Sequence, residues 1–426
     1  MKVFFSVGEP SGDLHAANLM RELRSHRSDV EFVGFGGPRM TAAGCDVRFD
    51  LTELAVMWIA RAVMKLPLYL DLVRRADRYF ATERPDAVVL VDYPGFNWHI
   101  ARRAKFHGIP VFYYSPPQIW AWASWRITKM RRLVDHVLCG LPFESAWYSQ
   151  RNCRATYIGH PYFDEVHHRQ LDQAFIAEQR NRSPRRITIL PGSRSQEVHG
   201  NLDAFLRTVE HVRKQIPDVH VAIAAYKESQ ATVARAAVAR RGLPIEVHVG
   251  RTAELIESST CCLACSGSVS LELLHHAKPS LIRYPMSMSG SWMQRWLRHT
   301  RYITLVNLLA SDDPFVPRST VAITEAASDE SVLFPEFLST ADRSPDMARL
   351  LCKWLTNDES RQAREQQLIA LREQVGQPGA ARRAAVYLLE VVERRRTQPR
   401  PPHFSPQRRV VSSAGADVEY LASERT

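Results

Sequence analysis

The chain of 426 residues is predicted to fold as two Rossmann-like α/β domains, each a doubly wound parallel sheet, facing each other across a cleft and followed by C-terminal helices. Short apolar runs alternate with segments of helical periodicity, and these runs lack the polar alternation of a sheet with one wet face. The pattern also stops near residue 160 and begins again near residue 186. The restart predicts a second sheet.

The first half, assigned to residues 1–165, contains five candidate strands and helical stretches such as Leu14–Arg24 and Leu66–Thr82. Gly159-His160-Pro161 ends this pattern. The five strands are Val3–Val7, Glu31–Phe35, Ala87–Val91, Val111–Tyr114 and His136–Cys139.

The second half repeats the arrangement after a polar, Arg-rich connection at 166–184. Residues 185–355 form the predicted second domain, with a helix at Asn201–Gln215. Residues 356–396 form closing helices, and the Pro/Arg/Ser-rich residues 397–426 are expected to be a disordered basic tail. The strands are Arg186–Leu190, His220–Ala225, Glu246–Val249, Cys261–Cys265 and Ser280–Arg283.

The composition is that of a soluble globular enzyme, with 45% hydrophobic and 24% charged residues. No apolar run approaches the roughly 20 residues of a membrane-spanning helix, and the N-terminus reads as a buried strand rather than a signal peptide. Seven cysteines without an export signal are expected to be reduced thiols. The CxxC spacing of Cys262 and Cys265 lies in a strand-like run without a nearby fourth ligand, so no metal site is predicted.

The net charge of +11 fits nucleic acid, anionic lipid or phosphorylated substrates as partners. No nucleic-acid-binding module is visible, so nucleic acid is not a predicted partner. Part of the charge is local, because residues 394–409 contain six arginines and no acidic residue.

The first predicted strand ends in a turn, residues 8–13 (GEPSGD), that opens a helix. The carboxyl end of such a strand is where α/β proteins bind ligands. The two carboxylates disfavour a bare phosphate and favour a hydroxyl-rich ligand, although Ser11 or Asp13 could instead cap the helix. The candidate binding residues are Glu9, Ser11, Gly12 and Asp13.

Strand Ala87–Val91 ends at Asp92, which would face the cleft partly desolvated. Its pKa should rise toward the range of a general base that deprotonates an attacking hydroxyl. A turn-forming role before Pro94 is the competing interpretation.

Two turns of the second half are candidates for binding a nucleotide diphosphate. In residues 191–197, backbone amides and an Arg guanidinium could neutralise a diphosphate leaving group. In residues 266–272, a Gly/Ser turn opens a helix whose Glu272 could bind a ribose diol, although such a turn can also be a simple cap. The chain has no Asp-x-Asp pair, which favours a fixed cation over a metal ion. The residues are Gly192, Ser193, Arg194, Glu197, Ser266, Gly267, Ser268 and Glu272.

The segment 54–70 is apolar nearly all round, with isolated Arg61 and Lys65. Such a helix can pack in a core or rest on an anionic bilayer with Trp58 and Tyr69 at the interface. The candidate membrane-contacting residues are Val56, Met57, Trp58, Ile59, Val63, Met64 and Leu66.

Taken together, these residues resemble the lipid-A-disaccharide synthase family. The resemblance extends from about Val3 to Leu309, in family order, with a weaker echo at 335–337. It is carried by GEPSGDLHAANL, FVGFGGPRM, LTELAVM, VDYPGFN, YYSPPQIWAW, LPFE, YIGHP, LPGSRSQEV, SGSVSLE and ITLVNLLA.

The resemblance implies an inverting, metal-independent transferase of the two-Rossmann (GT-B) type that needs no cofactor. It implies UDP-2,3-diacylglucosamine as donor and 2,3-diacylglucosamine 1-phosphate as acceptor, with lipid A disaccharide 1-phosphate and UDP as products. Asp92 is then the base, Arg194, Glu272 and Asn307 surround UDP, and the segment 56–70 contacts the membrane. The protein is expected to be cytoplasmic and peripheral on the inner face of the cytoplasmic membrane, and a homodimer is compatible with the sequence.

Trp58 and Arg61 stand where the family has Gly and often an acidic residue. They lie where the acyl chains or the acceptor would bind. A divergent UDP-sugar transferase with a different lipid-linked acceptor therefore stays as an alternative. A non-catalytic membrane or nucleic-acid binding protein that kept the fold is a third hypothesis.

Overall fold

The computed structural model describes residues 1–55, 66–285, 299–315, 332–339 and 341–397. These residues form two separate sheets in which all paired strands are parallel. The first sheet has the order β3-β2-β1-β4-β5-β6-β7 and the second the order β10-β9-β8-β11-β12-β13. Both therefore have the Rossmann arrangement, in which the first strand lies in the middle and the chain changes direction beside it. The predicted fold class is confirmed.

The elements are numbered along the chain. The strands of the first sheet are β1 (Lys2–Val7), β2 (Glu31–Gly36), β3 (Cys45–Asp50), β4 (Ala87–Val91), β5 (Val111–Tyr114), β6 (His136–Cys139) and β7 (Ala155–Tyr157). The helices described in this half are α1 (Pro10–His26), α2 (Pro38–Ala42), α3 (Thr52–Ala55), α4 (Leu66–Glu83), α5 (Pro94–Phe106), α6 (Ile119–Trp122), α7 (Ile127–Leu133) and α8 (Pro142–Ser149), with a 3₁₀ turn at Ser124–Arg126.

The strands of the second sheet are β8 (Arg186–Leu190), β9 (His220–Ala225), β10 (Ile245–Val249), β11 (Cys261–Cys265), β12 (Ser280–Pro285) and β13 (Glu336–Ser339). The other described helices are α9 (Pro161–His168), α10 (Gln173–Arg182), α11 (Ser195–Gln215), α12 (Glu228–Arg241), α13 (Thr252–Ser258), α14 (Val269–His275), α15 (Leu305–Leu309), α16 (Ser344–Thr356), α17 (Asp358–Val375) and α18 (Ala380–Thr397).

Both faces of the central strands are buried, as their unbroken apolar sequence predicts. In the first sheet, Phe4, Val88 and Leu90 belong to one buried cluster, whereas Phe5 and Val89 belong to the cluster on the opposite face. Two further clusters cover the faces of the second sheet. Each sheet is thus a layer between helices.

The ten predicted strands are present, but β3, β7 and β13 were not predicted. All three are edge strands. Strands β7 and β13 are short, and in β3 the apolar residues alternate with Asp46, Arg48 and Asp50. All three therefore lack the continuous apolar sequence of a central strand.

Helix α11 begins at Ser195, six residues before the predicted start at Asn201. The carboxylate of Glu197 explains the difference, because its Oε2 accepts the backbone N–H groups of Ser193 and Arg194 at 2.9 and 3.0 Å. The first turn of the helix is thereby capped from within.

The last helix among the described residues, α18, packs on the first sheet. The apolar stripe of α18, which includes Ala384, Ala385, Leu388 and Val392, belongs to the same buried cluster as α1. Its N-terminus is held by Asp164 of α9, whose carboxylate accepts the backbone N–H groups of Gly379, Ala380 and Ala381 at 2.5, 3.1 and 2.8 Å.

No helix among the described residues is long and apolar enough to cross a membrane. All seven cysteines are buried, and none of them forms a disulfide.

We predict that Asp164→Ala lowers the free energy of unfolding by about 2 kcal/mol or more, since it removes a charged N-cap and leaves buried amides without an acceptor. Urea unfolding followed by circular dichroism measures the change. Asp218→Ala is the matched control, because this carboxylate is 59% exposed and pairs with Arg185 at the surface. Equal stability of the two variants would show that the hydrogen bonds of Asp164 to the N-terminus of α18 do not stabilise the fold.

Candidate active site at the switch points of the two sheets

In each sheet the chain reverses its direction of winding beside the first strand, and the carboxyl ends of the two flanking strands leave a crevice there. In the first sheet these strands are β1 and β4, which are followed by Glu9 and Asp92. In the second they are β8 and β11, which are followed by the turns 191–194 and 266–268. The four turns selected from the sequence therefore occupy the two switch points.

Asp92 lies in a tightly constrained turn. Asp92 and Tyr93 both have left-handed backbone conformations, with φ of 46° and 43°. The carbonyl of Asp92 accepts hydrogen bonds from Asn97 Nδ2 at 2.7 Å and from the Tyr113 hydroxyl at 2.6 Å. Because two consecutive non-glycine residues rarely adopt this conformation, the fixed carbonyl is what holds the Asp92 side chain in position.

Asn97 is the centre of this support. Its side chain is fully buried, donates to the carbonyls of Ser6 and Val91, and accepts the Ser6 hydroxyl at 2.7 Å. The Asn thus connects the ends of β1 and β4. The sequence placed it in the motif VDYPGFN but gave it no role.

The Asp92 carboxyl group lies against Gly12. A Cβ atom at Gly12 would be 3.3 Å from Asp92 Oδ2 and 3.0 Å from Val7 Cγ1, so a larger residue would crowd the carboxyl group. Burial raises the pKa of Asp92 from its ordinary 3.8 to about 7, and the negative charge of Glu9 acts in the same direction. A carboxyl group with this pKa can accept a proton near neutral pH.

The Asp13 side chain bonds to the loop after β2 and not to the start of its own helix. Its carboxylate accepts the backbone N–H groups of Gly37, Arg39 and Met40 at 3.0, 2.9 and 3.1 Å. It therefore caps α2 rather than α1, and fixes the loop after β2. Ser11 is exposed. Binding of an acceptor by Glu9, Ser11, Gly12 and Asp13 stays a prediction.

Glu144 is a second buried carboxyl group that was not selected from the sequence. It accepts Trp120 Nε1 at 2.9 Å and the Gly140 N–H at 3.2 Å. Burial raises its pKa to about 7, and the charge of Asp92 contributes in the same direction. The motif LPFE contains this residue, but nothing in the motif alone shows that its carboxyl group is buried.

The turn after β8 is shaped by Gly192 and closed by Glu197. Gly192 has φ of 125°, and a Cβ atom there would lie 2.4 Å from Glu197 Cβ. The buried Gln230 donates to the Ser193 carbonyl at 2.6 Å and so fixes the turn from α12. The Arg194 side chain is 78% exposed and lies 3.6 Å from the Glu197 carboxylate. The guanidinium is therefore accessible to an anion, whereas the amides of Ser193 and Arg194 are occupied by Glu197.

The turn after β11 has free space beside Gly267. Gly267 has φ of 153°, and a Cβ atom there would meet nothing within 4 Å. Ser266 donates its backbone N–H to the Arg283 carbonyl, and Ser268 precedes α14. This turn leaves space for a ligand at the switch point.

Glu272 is buried in α14, and its carboxylate contacts Tyr162 of α9 and Arg169, which directly follows α9. Its carboxylate accepts the Tyr162 hydroxyl at 2.7 Å and is paired with Arg169. The structure thus connects Glu272 to the segment between the domains. Its predicted binding of a ribose stays a prediction.

Asn307 is buried and holds the segment before β13. Its amide donates to the Phe334 carbonyl and to Glu336 Oε1, and its Oδ1 accepts the Phe334 N–H. Glu336, also buried, accepts the backbone N–H groups of Ile303 and Thr304. Glu336 therefore fixes the start of α15, and Asn307 connects that helix to the segment before β13. Binding of UDP by Asn307 stays a prediction.

The membrane-contacting residues predicted at 56–64 lie outside the described residues. Leu66 is described, and its side chain is 56% exposed at the start of α4.

We predict that Asp92→Asn stabilises the protein above neutral pH. The folded-state pKa of Asp92 is raised, so its ionisation opposes folding as the pH rises from about 4 through 7. At pH 8 the free energy of unfolding of the variant should exceed that of the wild type by up to about 4 kcal/mol, since the pKa rises from 3.8 to about 7 and each pKa unit corresponds to about 1.4 kcal/mol, and the difference should disappear near pH 4. Urea titrations at both pH values measure it, with the exposed Asp312→Asn as control. A difference independent of pH would show that Asp92 ionises normally.

Comparison with known proteins gives the family. A family model for lipid-A-disaccharide synthetase matches residues 3–385. The chain is 33% identical over 395 residues to the lipid-A-disaccharide synthase of Anaeromyxobacter sp. (strain K), covering 92% of this chain and 97% of that protein. It is 30% identical over 399 residues to that of Myxococcus xanthus (strain DK1622), with the same coverage.

Among solved structures, the S. aureus MnaA–UDP complex superposes with a TM-score of 0.62 at 10% identity, covering 92% of this chain and 96% of that one. The UDP-GlcNAc 2-epimerase from Neisseria meningitidis gives a TM-score of 0.56 at 10% identity, covering 92% and 100%. At this identity the likeness establishes the fold alone. The family model and the relatives at 30% identity or more cover nearly the whole chain, and we conclude that this chain belongs to the lipid-A-disaccharide synthase family.

Proposed function

We propose that the protein transfers a 2,3-diacylglucosaminyl group from its UDP donor to 2,3-diacylglucosamine 1-phosphate, forming a β(1→6)-linked disaccharide 1-phosphate and UDP. Membership of the family supports the reaction. The observation that carries the chemistry is the position of Asp92, a carboxyl group with a pKa near 7 at the switch point of the first sheet.

In this mechanism Asp92 is the general base. It takes the proton from the acceptor hydroxyl as that oxygen attacks the anomeric carbon of the donor. The bond from this carbon to the diphosphate breaks on the opposite side, so a single displacement inverts the configuration. The proton remains on Asp92, and the electron pair of the broken bond leaves on UDP. A base of pKa near 7 is half available at neutral pH and still basic enough to assist the attack.

The second sheet would receive the leaving group. We propose that Arg194 turns from solvent onto the diphosphate and that the diphosphate displaces Glu197 from the amides of Ser193 and Arg194. Charge-assisted hydrogen bonds from a guanidinium and backbone amides stabilise a developing diphosphate charge. The reaction would then need no metal ion. Gly192 and the turn 266–268 would allow close approach of UDP, with Glu272 at the ribose and Asn307 beside the nucleotide.

Both substrates would carry acyl chains, so the protein must work at a lipid surface. We propose that the segment 56–66 rests on the inner face of the cytoplasmic membrane as a peripheral contact. The exposure of Leu66 at the end of this segment is consistent with that position.

The decisive test is an assay of the purified protein with both lipid substrates in detergent, without added metal and with EDTA. We expect UDP and disaccharide in equal amounts, and a loss of about 10²–10⁴-fold in kcat for Asp92→Asn with UDP affinity unchanged. Wild-type turnover by Asp92→Asn would remove its catalytic role. Loss of activity in EDTA that Mg²⁺ restores would refute metal independence. Release of UDP only with a different lipid acceptor would assign another reaction.

A second test addresses the diphosphate site. Arg194→Ala should raise the Kd for UDP by about 10–100-fold in isothermal titration calorimetry, the loss expected for a hydrogen bond to a charged group. Arg240→Ala is the control, because Arg240 is an exposed arginine of the same domain on α12. An unchanged Kd for Arg194→Ala would show that Arg194 does not bind the diphosphate of UDP.

A further inference from the structure

A long stretch of the first half is entirely free of acidic residues. Residues 93–134 contain seven Lys or Arg side chains and no Asp or Glu. The stretch begins directly after Asp92 and includes α5, β5, α6 and α7. Positive charge is therefore concentrated on the helices that follow β4 and β5.

Helices α5 and α7 pack against each other and bring these charges together. On α5, residues 99, 102, 103 and 106 recur at helical spacing and are exposed. On α7, Lys129 and Arg132 are exposed on the neighbouring helix. The pKa of His99 is lowered, first by partial desolvation and then by the charges of Arg102, Lys129 and Arg103, in agreement with this grouping.

Several of these cations have no counter-ion among the residues that the structure describes. Among the described residues, no carboxylate lies within 4.0 Å of the side chains of Arg102, Lys129 or Arg132, whereas Arg103 is 3.8 Å from Asp77. Unpaired cations that crowd one another repel, and they gain free energy from an external anionic partner.

Two exposed aromatic side chains accompany the charges. Phe106 is 68% exposed, four residues after Arg102 on α5, and Trp125 is 58% exposed in the turn that leads into α7. We define the cationic face by Arg102, Arg103, Phe106, Trp125, Lys129 and Arg132. Aromatic side chains among cations are typical of surfaces that lie at the headgroup level of a bilayer.

The apolar stripe of α4 adjoins this face. Leu66 and Leu70 are 56% and 47% exposed, and Asp77 follows on the same side of the helix. Asp77 contacts Arg103 and His107 of α5. The exposed apolar end of α4 and the cationic face therefore belong to one side of the domain.

We propose that the cationic face binds the anionic headgroups of a phospholipid bilayer, and that it is a second membrane contact distinct from the apolar segment 56–66. The proposal rests on the proposed function, since a lipid substrate gives the protein a reason to bind a bilayer. Each cation near an anionic surface is worth about 1 kcal/mol, and the attraction falls off within a Debye length. Because α5 starts two residues after Asp92, docking through this face would also fix the orientation of the proposed base relative to the bilayer.

The test is co-sedimentation of the full-length protein with vesicles of phosphatidylcholine alone or with added phosphatidylglycerol. The triple variant Arg102→Gln/Lys129→Gln/Arg132→Gln should lose about 100-fold in partitioning to the anionic vesicles, three cations at about 1 kcal/mol each. High salt should remove most of this difference. Trp125→Ala should weaken binding to both kinds of vesicle.

The matched control is Lys214→Gln/Arg240→Gln/Arg349→Gln, which removes the same charge from exposed positions on helices of the second half. It should stay within about three-fold of wild type, because these cations lie outside the face. An equal loss in both triple variants would overturn the proposal in favour of a general effect of net charge. RNA binding that depends on the three cations, together with vesicle binding that does not, would overturn it in favour of nucleic acid.

Turnover in neutral-detergent micelles distinguishes an effect on binding to the bilayer from an effect on the transfer reaction. The cationic-face variant should keep wild-type kcat there, because no bilayer is present to be bound. Loss of kcat in micelles would overturn the docking role and place these cations at a substrate. A wild-type protein that binds anionic vesicles through this face but transfers no sugar would refute the proposed function and leave the membrane contact established.

Discussion

The buried Asn97 side chain is the interaction on which the site of the first domain depends. It joins the carboxyl ends of β1 and β4 through hydrogen bonds to Ser6, Val91 and Asp92. These strands lie on either side of the point where the sheet reverses its winding, and no backbone pairing continues beyond their ends. The Asn97 side chain thereby links the turns that contain Glu9 and Asp92, in addition to the contacts of Tyr93 with Gly8 and of Asp92 with Gly12.

The electrostatic character of this crevice follows from the same arrangement. The two turns bring two carboxyl groups together in a region that the sheet and the Tyr93 ring, packed against Gly8, partly shield from water. Burial is the larger cause of the raised pKa of Asp92, and the negative charge of Glu9 adds to it. Burial also raises the pKa of Glu144, which accepts a hydrogen bond from Trp120, and the charge of Asp92 contributes. The first domain therefore contains carboxyl groups with a pKa near neutral pH, whereas the second domain has an exposed Arg194 guanidinium and an open turn at Gly267.

The sequence predicted the parts of the molecule that depend on local pattern. Central strands have continuous apolar sequence because both faces are covered, and turns at their carboxyl ends contain Gly, Ser and acidic residues. The edge strands β3, β7 and β13 could not be found in this way, since their register is set by a neighbour that pattern does not identify. The same holds for side chains whose partners are distant in sequence. Asp13 with the loop at 37–40 and Asn307 with Phe334 were selected as ligand-binding residues, and only the tertiary structure shows their backbone partners.

The path of the chain at its end has a further consequence. Helix α18 follows the second sheet in sequence but covers the first, and Asp164 fastens its start. A fragment ending near residue 184 would leave the apolar side of α1 bare, and a fragment beginning there would carry an orphaned amphipathic helix. The two halves therefore cannot be produced separately by one cut in the polypeptide. A circular permutant that moves residues 376–397 ahead of Met1 would be the economical way to obtain an autonomous N-terminal half.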